Sequence, residues 1–175
     1  MKEFKHLMLD IETLGTKSNS VVLNITAVAF DIETGETGAT FNQNISIESS
    51  LLAGLKVDAG TLKFWLQQDK EALKHSLVEP QTLTDVLYEF SAFCNKNYQV
   101  WGRSPRFDWG LVQNLYNNQH LEIPWDFRKE RDVRTLEALR PEIKANTTRE
   151  GLEHTGIGDC IHQIKYCVAI WNDLK

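Results

Sequence analysis

The sequence has no long run of apolar residues. No stretch of its 175 residues approaches the roughly 20 consecutive apolar residues that span a bilayer. The segment from Met1 to His6 also lacks the hydrophobic region of a signal peptide. We therefore expect a cytoplasmic protein with no membrane partner.

Cysteine is scarce. The three cysteines are Cys94, Cys160 and Cys167, an odd number whose spacing matches no zinc motif. Cys160 and Cys167 are seven residues apart, about two helical turns, so we expect them on one helix face. The pattern indicates core thiols rather than a disulfide or a metal site.

An excess of positive charge is also missing. The chain has 19 Lys and Arg against 24 Asp and Glu, a net charge of −5. Proteins that coat duplex nucleic acid by bulk charge are usually basic, so that class is disfavoured. An enzyme that holds a short single-stranded end is not excluded, because acids that bind divalent cations would themselves make the chain acidic.

The hydrophobic content, 42%, and the length fit a single domain over residues 1–175. Apolar and β-branched patterns predict strands at 4–10, 21–31 and 39–47, forming an antiparallel meander. A polar turn is predicted at 103–106, and a capping box predicts a helix that begins at Thr147. The other predicted elements are a strand at 98–101 and helices at 61–66, 70–77, 82–97, 107–118 and 158–174. One more helix is predicted to follow 131–135 and to end before Pro141. The fold class is α/β, a mixed sheet flanked by helices.

Two acids end the first predicted strand, in Met8-Leu9-Asp10-Ile11-Glu12-Thr13. Residues i and i+2 of a strand face the same side, so Asp10 and Glu12 project together and Ile11 faces the opposite layer. Two adjacent carboxylates repel each other, which raises the pKa of one of them unless a cation is bound. Oxygen ligands of this kind suit Mg²⁺ or Mn²⁺.

Each candidate residue also has a plainer interpretation. The acid pair could be a solvated strand end, and a second copy at Asp31-Ile32-Glu33 predicts an ordinary turn. Asp108 and Asp159 stand at helix starts and could be N-caps. His154, five residues before Asp159, could be a surface histidine. The order of the whole set along the chain favours one common site.

In this order the residues resemble the motifs of the DEDDh 3′–5′ exonuclease family, which has the RNase H-like fold. The matching segments are Leu9–Thr13, Phe107-Asp108 and His154–Asp159, within a resemblance that covers residues 4–170. The chain is most similar to a small branch that includes exonuclease VIII-like and mycobacterial exoribonuclease-like proteins, many of them carried by phages and prophages. The family often has Asn at the position of Arg103 and Ala at the position of Gly156. Neither difference removes a metal ligand, but Arg103 leaves open how the terminal nucleotide is held.

The resemblance implies hydrolysis from a 3′ end with release of nucleoside monophosphates. It implies two divalent cations, Mg²⁺ or Mn²⁺, and His154 as the general base. The carboxylates that it assigns to the metals are Asp10, Glu12, Asp108 and Asp159. The compact chain and the phage-like branch favour DNA over RNA.

Contacts to a single-stranded 3′ end are expected from residues after the first motif and from aromatic side chains that could stack on bases. The expected contacts are Thr13, Leu14, Phe64, Trp65, Arg103 and Trp109. A core position for Phe64 or Trp65 is the alternative. The branch also favours a homodimer, for which an exposed aromatic segment at Trp125–Phe127 would be suitable.

Two other functions remain open from the sequence. The same fold could bind nucleic acid or a partner protein without cutting, although all four acids and the histidine are present. Alternatively, the acids could be caps and turns only, in which case no divalent metal would bind.

Overall fold

The computed structural model describes residues 3–104 and 106–175. In that part of the chain, one mixed sheet has the strand order β3-β2-β1-β4-β5. Its strands are β1 (His6–Thr13), β2 (Val22–Phe30), β3 (Thr37–Asn44), β4 (Gln99–Gly102) and β5 (Glu130–Asp132). β1, β2 and β3 pair antiparallel, whereas β1–β4 and β4–β5 are parallel. The predicted meander and the α/β class are confirmed.

The helices are α1 (Ile47–Leu52), α2 (Ala59–Trp65), α3 (Lys70–His75), α4 (Leu83–Phe93), α5 (Asp108–Asn118), α6 (Val133–Leu139), α7 (Pro141–Asn146) and α8 (Ile157–Asp173). Buried residues of α4 and α5 form one core against the sheet, and those of α6 and α8 form a second core on the other face. No helix in the described ranges is long and apolar enough to cross a membrane.

β1 lies at the centre of both cores. Leu7, Leu9 and Ile11 belong to the core on the α4–α5 side, and Met8 belongs to the core on the α8 side. Because side chains alternate along a strand, Asp10 follows Met8 toward α8. The prediction that Ile11 anchors the strand in the opposite layer is confirmed.

The predicted helix after Thr147 is wrong, since residues 147–156 contain no helix. The Thr147 hydroxyl donates to the carbonyl of Ile143 and so ends α7 instead of opening a new helix. Glu150 pairs with Lys165 of α8 at 2.8 Å rather than reaching back to Thr147. Both halves of the predicted capping box therefore have other partners.

Several smaller predictions have clear outcomes. The second Asp-x-Glu is a turn, in which Asp31 Oδ1 accepts the backbone N–H groups of Glu33 and Thr34. The three cysteines are free and buried, as predicted. β5 was not predicted, because Glu-Arg-Asp carries no apolar signal. The polar turn predicted at 103–106 contains Pro105, which lies outside the described residues.

The aromatic segment proposed as a dimer surface is only partly exposed. The Trp125 side chain is buried and its ring lies 4.7 Å from that of Trp109, centroid to centroid. Phe127 is 61% exposed. The expectation of a continuous exposed aromatic segment is therefore wrong, because Trp125 completes the core under α5.

Gly156 is fixed by two constraints at the start of α8. Its φ is +44°, and a Cβ atom placed on it would lie 2.2 Å from Thr26 Oγ1 of β2. The alanine that the family pattern often has at this position would clash here.

We predict that Gly156→Ala lowers the free energy of unfolding by roughly 2–5 kcal/mol, from the positive φ and the overlap together. Gly151→Ala is the matched control, because Gly151 also has a positive φ, +80°, but no atom within 4 Å of its Cβ position. The free energy of unfolding of the control, measured by chemical denaturation, should fall by only about 1–2 kcal/mol. Equal losses of unfolding free energy in the two variants would show that the overlap with Thr26 does not affect stability.

Candidate active site

Three acids converge beside the carboxyl end of β1. One oxygen each from Asp10, Glu12 and Asp159 lies within 4.8 Å of the others. Asp10 follows Leu9, which pairs with Gly102 at the end of parallel strand β4. In open α/β sheets, ligands bind outside the carboxyl ends of the strands. The fold therefore brings together acids that are far apart in the sequence.

Asp108 is a fourth acid, at the first position of α5. It is buried, and its Oδ2 has no hydrogen-bond partner. Gly102 permits this position, since a Cβ there would lie 3.0 Å from Asp108 Oδ2. The N-cap interpretation of Asp108 is wrong, because Phe107 occupies the cap and makes no side-chain cap bond.

Burial and mutual repulsion raise the pKa of these acids. The pKa of Asp10 is raised well above its usual value by burial of the carboxyl group and then by Glu12, Asp108 and Asp159. Burial, with repulsion from Asp159 and Asp108, raises the pKa of Glu12 to about 8. Burial raises the pKa of Asp108 to about 7, against a backbone hydrogen bond from Arg103. A divalent cation would relieve this repulsion, and the all-oxygen donor set fits Mg²⁺ or Mn²⁺.

Asp159 is held at the start of α8 by two donors. Arg149 Nη1 donates to Asp159 Oδ1 at 2.7 Å, and the backbone N–H of Thr155 donates to Oδ2 at 2.9 Å. Gly156, not Asp159, is the N-cap of α8, so the cap interpretation is wrong here too.

His154 lies beside the acids with an unusual backbone. Its φ is +61°, a left-handed conformation that is uncommon for a residue with a side chain. The imidazole packs edge-on against Phe64 and Trp65, at centroid distances of 5.3 and 5.8 Å. Its Nδ1 is 3.9 Å from Glu12 Oε1. The structure thus places the predicted histidine at the acid cluster.

The acids line a cleft of about 800 Å³ whose walls differ in charge. One wall comes from α2, including Gly60, Thr61 and Phe64. Another part of the lining, the basic wall, carries the cations Arg103, Arg134, Lys144 and Arg149. The cleft therefore offers both an aromatic surface and positive charge near the acids.

A partly buried carboxylate organises part of the basic wall. Glu137 accepts from Arg103 Nε at 2.9 Å, from Lys144 Nζ at 2.7 Å and from the Tyr166 hydroxyl at 2.8 Å. Arg103 and Lys144 lower the pKa of Glu137 although burial opposes them, so its negative charge is retained. One anion thus fixes two cations, and the wall keeps a positive excess.

Comparison with family models identifies the chain. The model described as "3′-5′ exoribonuclease Rv2179c-like domain" matches residues 5–171. The chain belongs to this family. It has the RNase H-like exonuclease fold, with an acidic cluster able to bind metal.

Solved structures of nucleases share the fold at low sequence identity. Cell-death related nuclease 4 matches with a TM-score of 0.64 and 15% identity, over 97% of this chain and 64% of that chain. The zinc-bound E. coli exonuclease I–ssDNA complex matches with a TM-score of 0.65 and 17% identity, over 97% of this chain and 40% of that chain. The nuclease domain of 3′hExo, a DEDDh family member bound to rAMP, matches with a TM-score of 0.64 and 13% identity, over 97% of this chain and 93% of that chain.

The chain spans less than two thirds of cell-death related nuclease 4 and of exonuclease I. A search of curated protein sequences gave no match. The family assignment therefore depends on the domain match, and the solved structures support the fold.

Two of the expected substrate contacts are wrong. The Trp109 indole is 1% exposed and packs between Phe90 and Trp125, so it cannot stack on a base. Leu14 is 5% exposed, and its backbone N–H and carbonyl are both bonded within the protein. Each side chain packs in the core on the α4–α5 side.

The other expected contacts line the cleft in different ways. Phe64 is 40% exposed and has a free surface toward the cleft. Trp65 is buried, and its indole N–H donates to the carbonyl of Thr13. Thr13 is also buried, with its hydroxyl donated to the carbonyl of Gly15. Arg103 lies on the basic wall.

The sequence reasoning missed several residues of the cleft. Gln163 Nε2 donates to Asp10 Oδ1 at 2.8 Å, while the buried Gln163 Oε1 has no partner. Its position four residues after Asp159 on α8 was a usable signal, because residues i and i+4 share a helix face. Arg149 and the Glu137 network gave no such signal, since their contacts join separate elements.

We predict that Glu12→Gln stabilises the metal-free protein at high pH. The folded state holds the Glu12 proton more tightly than the unfolded state, whose pKa is near 4.5. That stability is fully present below about 4.5 and is lost as the pH rises through about 8. Gln does not ionise, so at pH 9 with EDTA the variant should be more stable by at least ~2 kcal/mol, at 1.36 kcal/mol per pKa unit.

The two proteins should differ little at pH 4.5, where the wild-type carboxyl is protonated. Glu89→Gln, on the exposed side of α4, is the control and should follow the wild type. Denaturant titration at both pH values is the measurement. A loss of stability at pH 9 in Glu12→Gln would contradict the repulsion described here.

Proposed function

We propose that the protein is a metal-dependent 3′–5′ exonuclease of the DEDDh type. It would hydrolyse phosphodiester bonds at the 3′ end of single-stranded or overhanging nucleic acid and release nucleoside 5′-monophosphates. The observation that carries the proposal is the convergence of four poorly solvated acids and one imidazole on a cleft with a basic wall. Membership of a family described as 3′–5′ exoribonuclease supports it.

Asp10, Glu12, Asp108 and Asp159 would hold two divalent cations, Mg²⁺ or Mn²⁺. The fit is supported by the raised pKa values of three of these acids and by the unpartnered Asp108 Oδ2. When bound, such ions lower the pKa of a water and stabilise charge on phosphate oxygens. Gln163 would orient Asp10 through its 2.8 Å hydrogen bond.

His154 would be the general base that accepts the proton of the attacking water. Imidazole suits this task because its pKa lies near neutrality. Phe64 and Trp65 pack edge-on against its ring, and its Nδ1 lies 3.9 Å from Glu12 Oε1. The backbone of His154 has a φ of +61°. Strained backbone of this kind is often found at functional sites.

The substrate would be a single strand that enters between the two walls. Phe64 would stack on a base, and the cations of the basic wall would contact the phosphates. The family description makes RNA the first substrate to test. DNA, which the compact chain and the resemblance to a branch found in phages favour, is the second substrate.

Digestion of 3′-overhang RNA and DNA oligonucleotides with Mg²⁺ or Mn²⁺ tests the proposal. Wild type should release nucleoside monophosphates from the 3′ end, and EDTA should stop the reaction. Asp10→Asn should abolish activity, and His154→Ala should lower the rate by about 10²–10⁴-fold. Glu89→Gln should cut like the wild type.

If the wild type leaves both oligonucleotides intact with either metal, the proposed function is wrong. Binding of an oligonucleotide without cleavage would favour the binding-module interpretation instead.

We predict that Phe64→Ala raises KM more than it lowers kcat. A smaller loss of kcat is expected as well, because Phe64 packs against the ring of His154. Loss of one base–aromatic stack, roughly 1–3 kcal/mol, should raise KM by about tenfold or more. Tyr88→Ala, which removes a more exposed aromatic side chain on α4, is the control. An unchanged KM in Phe64→Ala would exclude stacking on this side chain.

A further inference from the structure

An arginine lies against one of the acids of the cluster. Arg149 Nη1 is 2.7 Å from Asp159 Oδ1, and both side chains are largely buried. A charge-assisted hydrogen bond of this length is among the stronger polar contacts in proteins. The arginine therefore occupies a position next to a carboxylate that is otherwise available to a cation.

This contact works against cation binding. A guanidinium beside Asp159 repels a divalent ion bound to the same carboxylate. The orientation of Asp159 does not require that charge, because the backbone N–H of Thr155 already holds Oδ2 at 2.9 Å. A full positive charge at this position calls for a second role.

The surroundings of Arg149 allow such a role. Arg149 lies in the non-helical segment 147–156 and lines the same cleft as the acids. Its Nε is 3.5 Å from Glu153 Oε1, a weak and exposed contact. A guanidinium has five donors in a planar fork that matches phosphate geometry, and only Nη1 donates to Asp159.

We propose that Arg149 is an exchangeable cation of the site. It neutralises Asp159 when no metal is bound. Once Asp159 has become a metal ligand, Arg149 donates to the non-bridging oxygens of the substrate phosphate in the cleft. This inference rests on the proposed nuclease function and adds a phosphate-binding residue to it.

The test compares Arg149→Gln and Arg149→Lys with the wild type in the full chain. Mn²⁺ alone is titrated and free Mn²⁺ is measured by electron paramagnetic resonance. Arg149→Gln should bind Mn²⁺ about fivefold more tightly, since a repelling charge is gone. At saturating Mn²⁺ its kcat/KM on a single-stranded oligonucleotide should fall about 100-fold, as for loss of one phosphate-stabilising donor.

Arg149→Lys keeps the charge but not the fork, so it should keep wild-type Mn²⁺ affinity and lose part of the activity. Arg128→Gln, which removes one exposed arginine outside the cleft lining, is the control for net charge. It should match the wild type in both measurements.

Weaker or unchanged Mn²⁺ binding in Arg149→Gln would overturn the inference, because Arg149 would then only support Asp159. Unchanged kcat/KM in that variant would overturn it as well. If the wild type cuts no oligonucleotide, the proposed function fails, whereas the Mn²⁺ titration still decides whether Arg149 competes with the metal.

Discussion

Repulsion between poorly solvated carboxylates is the constraint on which the rest of the structure depends. Asp10, Glu12, Asp108 and Asp159 meet where β1 and β4 end, and burial raises the pKa of Glu12 to about 8 and of Asp108 to about 7. Without a cation, ionisation of this cluster opposes folding at neutral pH. The surrounding packing must therefore hold the strand ends in place against a local destabilising force.

The packing of β1 provides that support. Ile11, between the two acids, enters the core on the α4–α5 side, while Met8 enters the core on the α8 side. Gly102 leaves room for Asp108 at the end of β4, and Gln163 of α8 donates to Asp10. Secondary structure on both faces of the sheet thus fixes the spacing of the acids before any ligand is present.

Local patterns predicted most of the fold and the acids of the site. The alternation in Met8–Thr13 placed Asp10 and Glu12 on one face, and the three- and four-residue spacing after Asp159 predicted α8. The sequence did not reveal that Trp109 packs on Trp125 or that Thr147 ends α7. Local sequence patterns predicted other roles for Trp109 and Thr147, and the contacts in the folded chain overrode those patterns. The partners of Arg149 and Glu137 lie on other elements, so no pattern in the sequence revealed them.

The central claim is that the strand-end acids form a divalent-metal site. Crystals soaked in Mn²⁺ and measured for anomalous scattering test it most directly. The account predicts an anomalous peak among the carboxylates of Asp10, Glu12 and Asp159. Well-diffracting soaked crystals with no peak at these acids, or with peaks only at surface carboxylates, would contradict it.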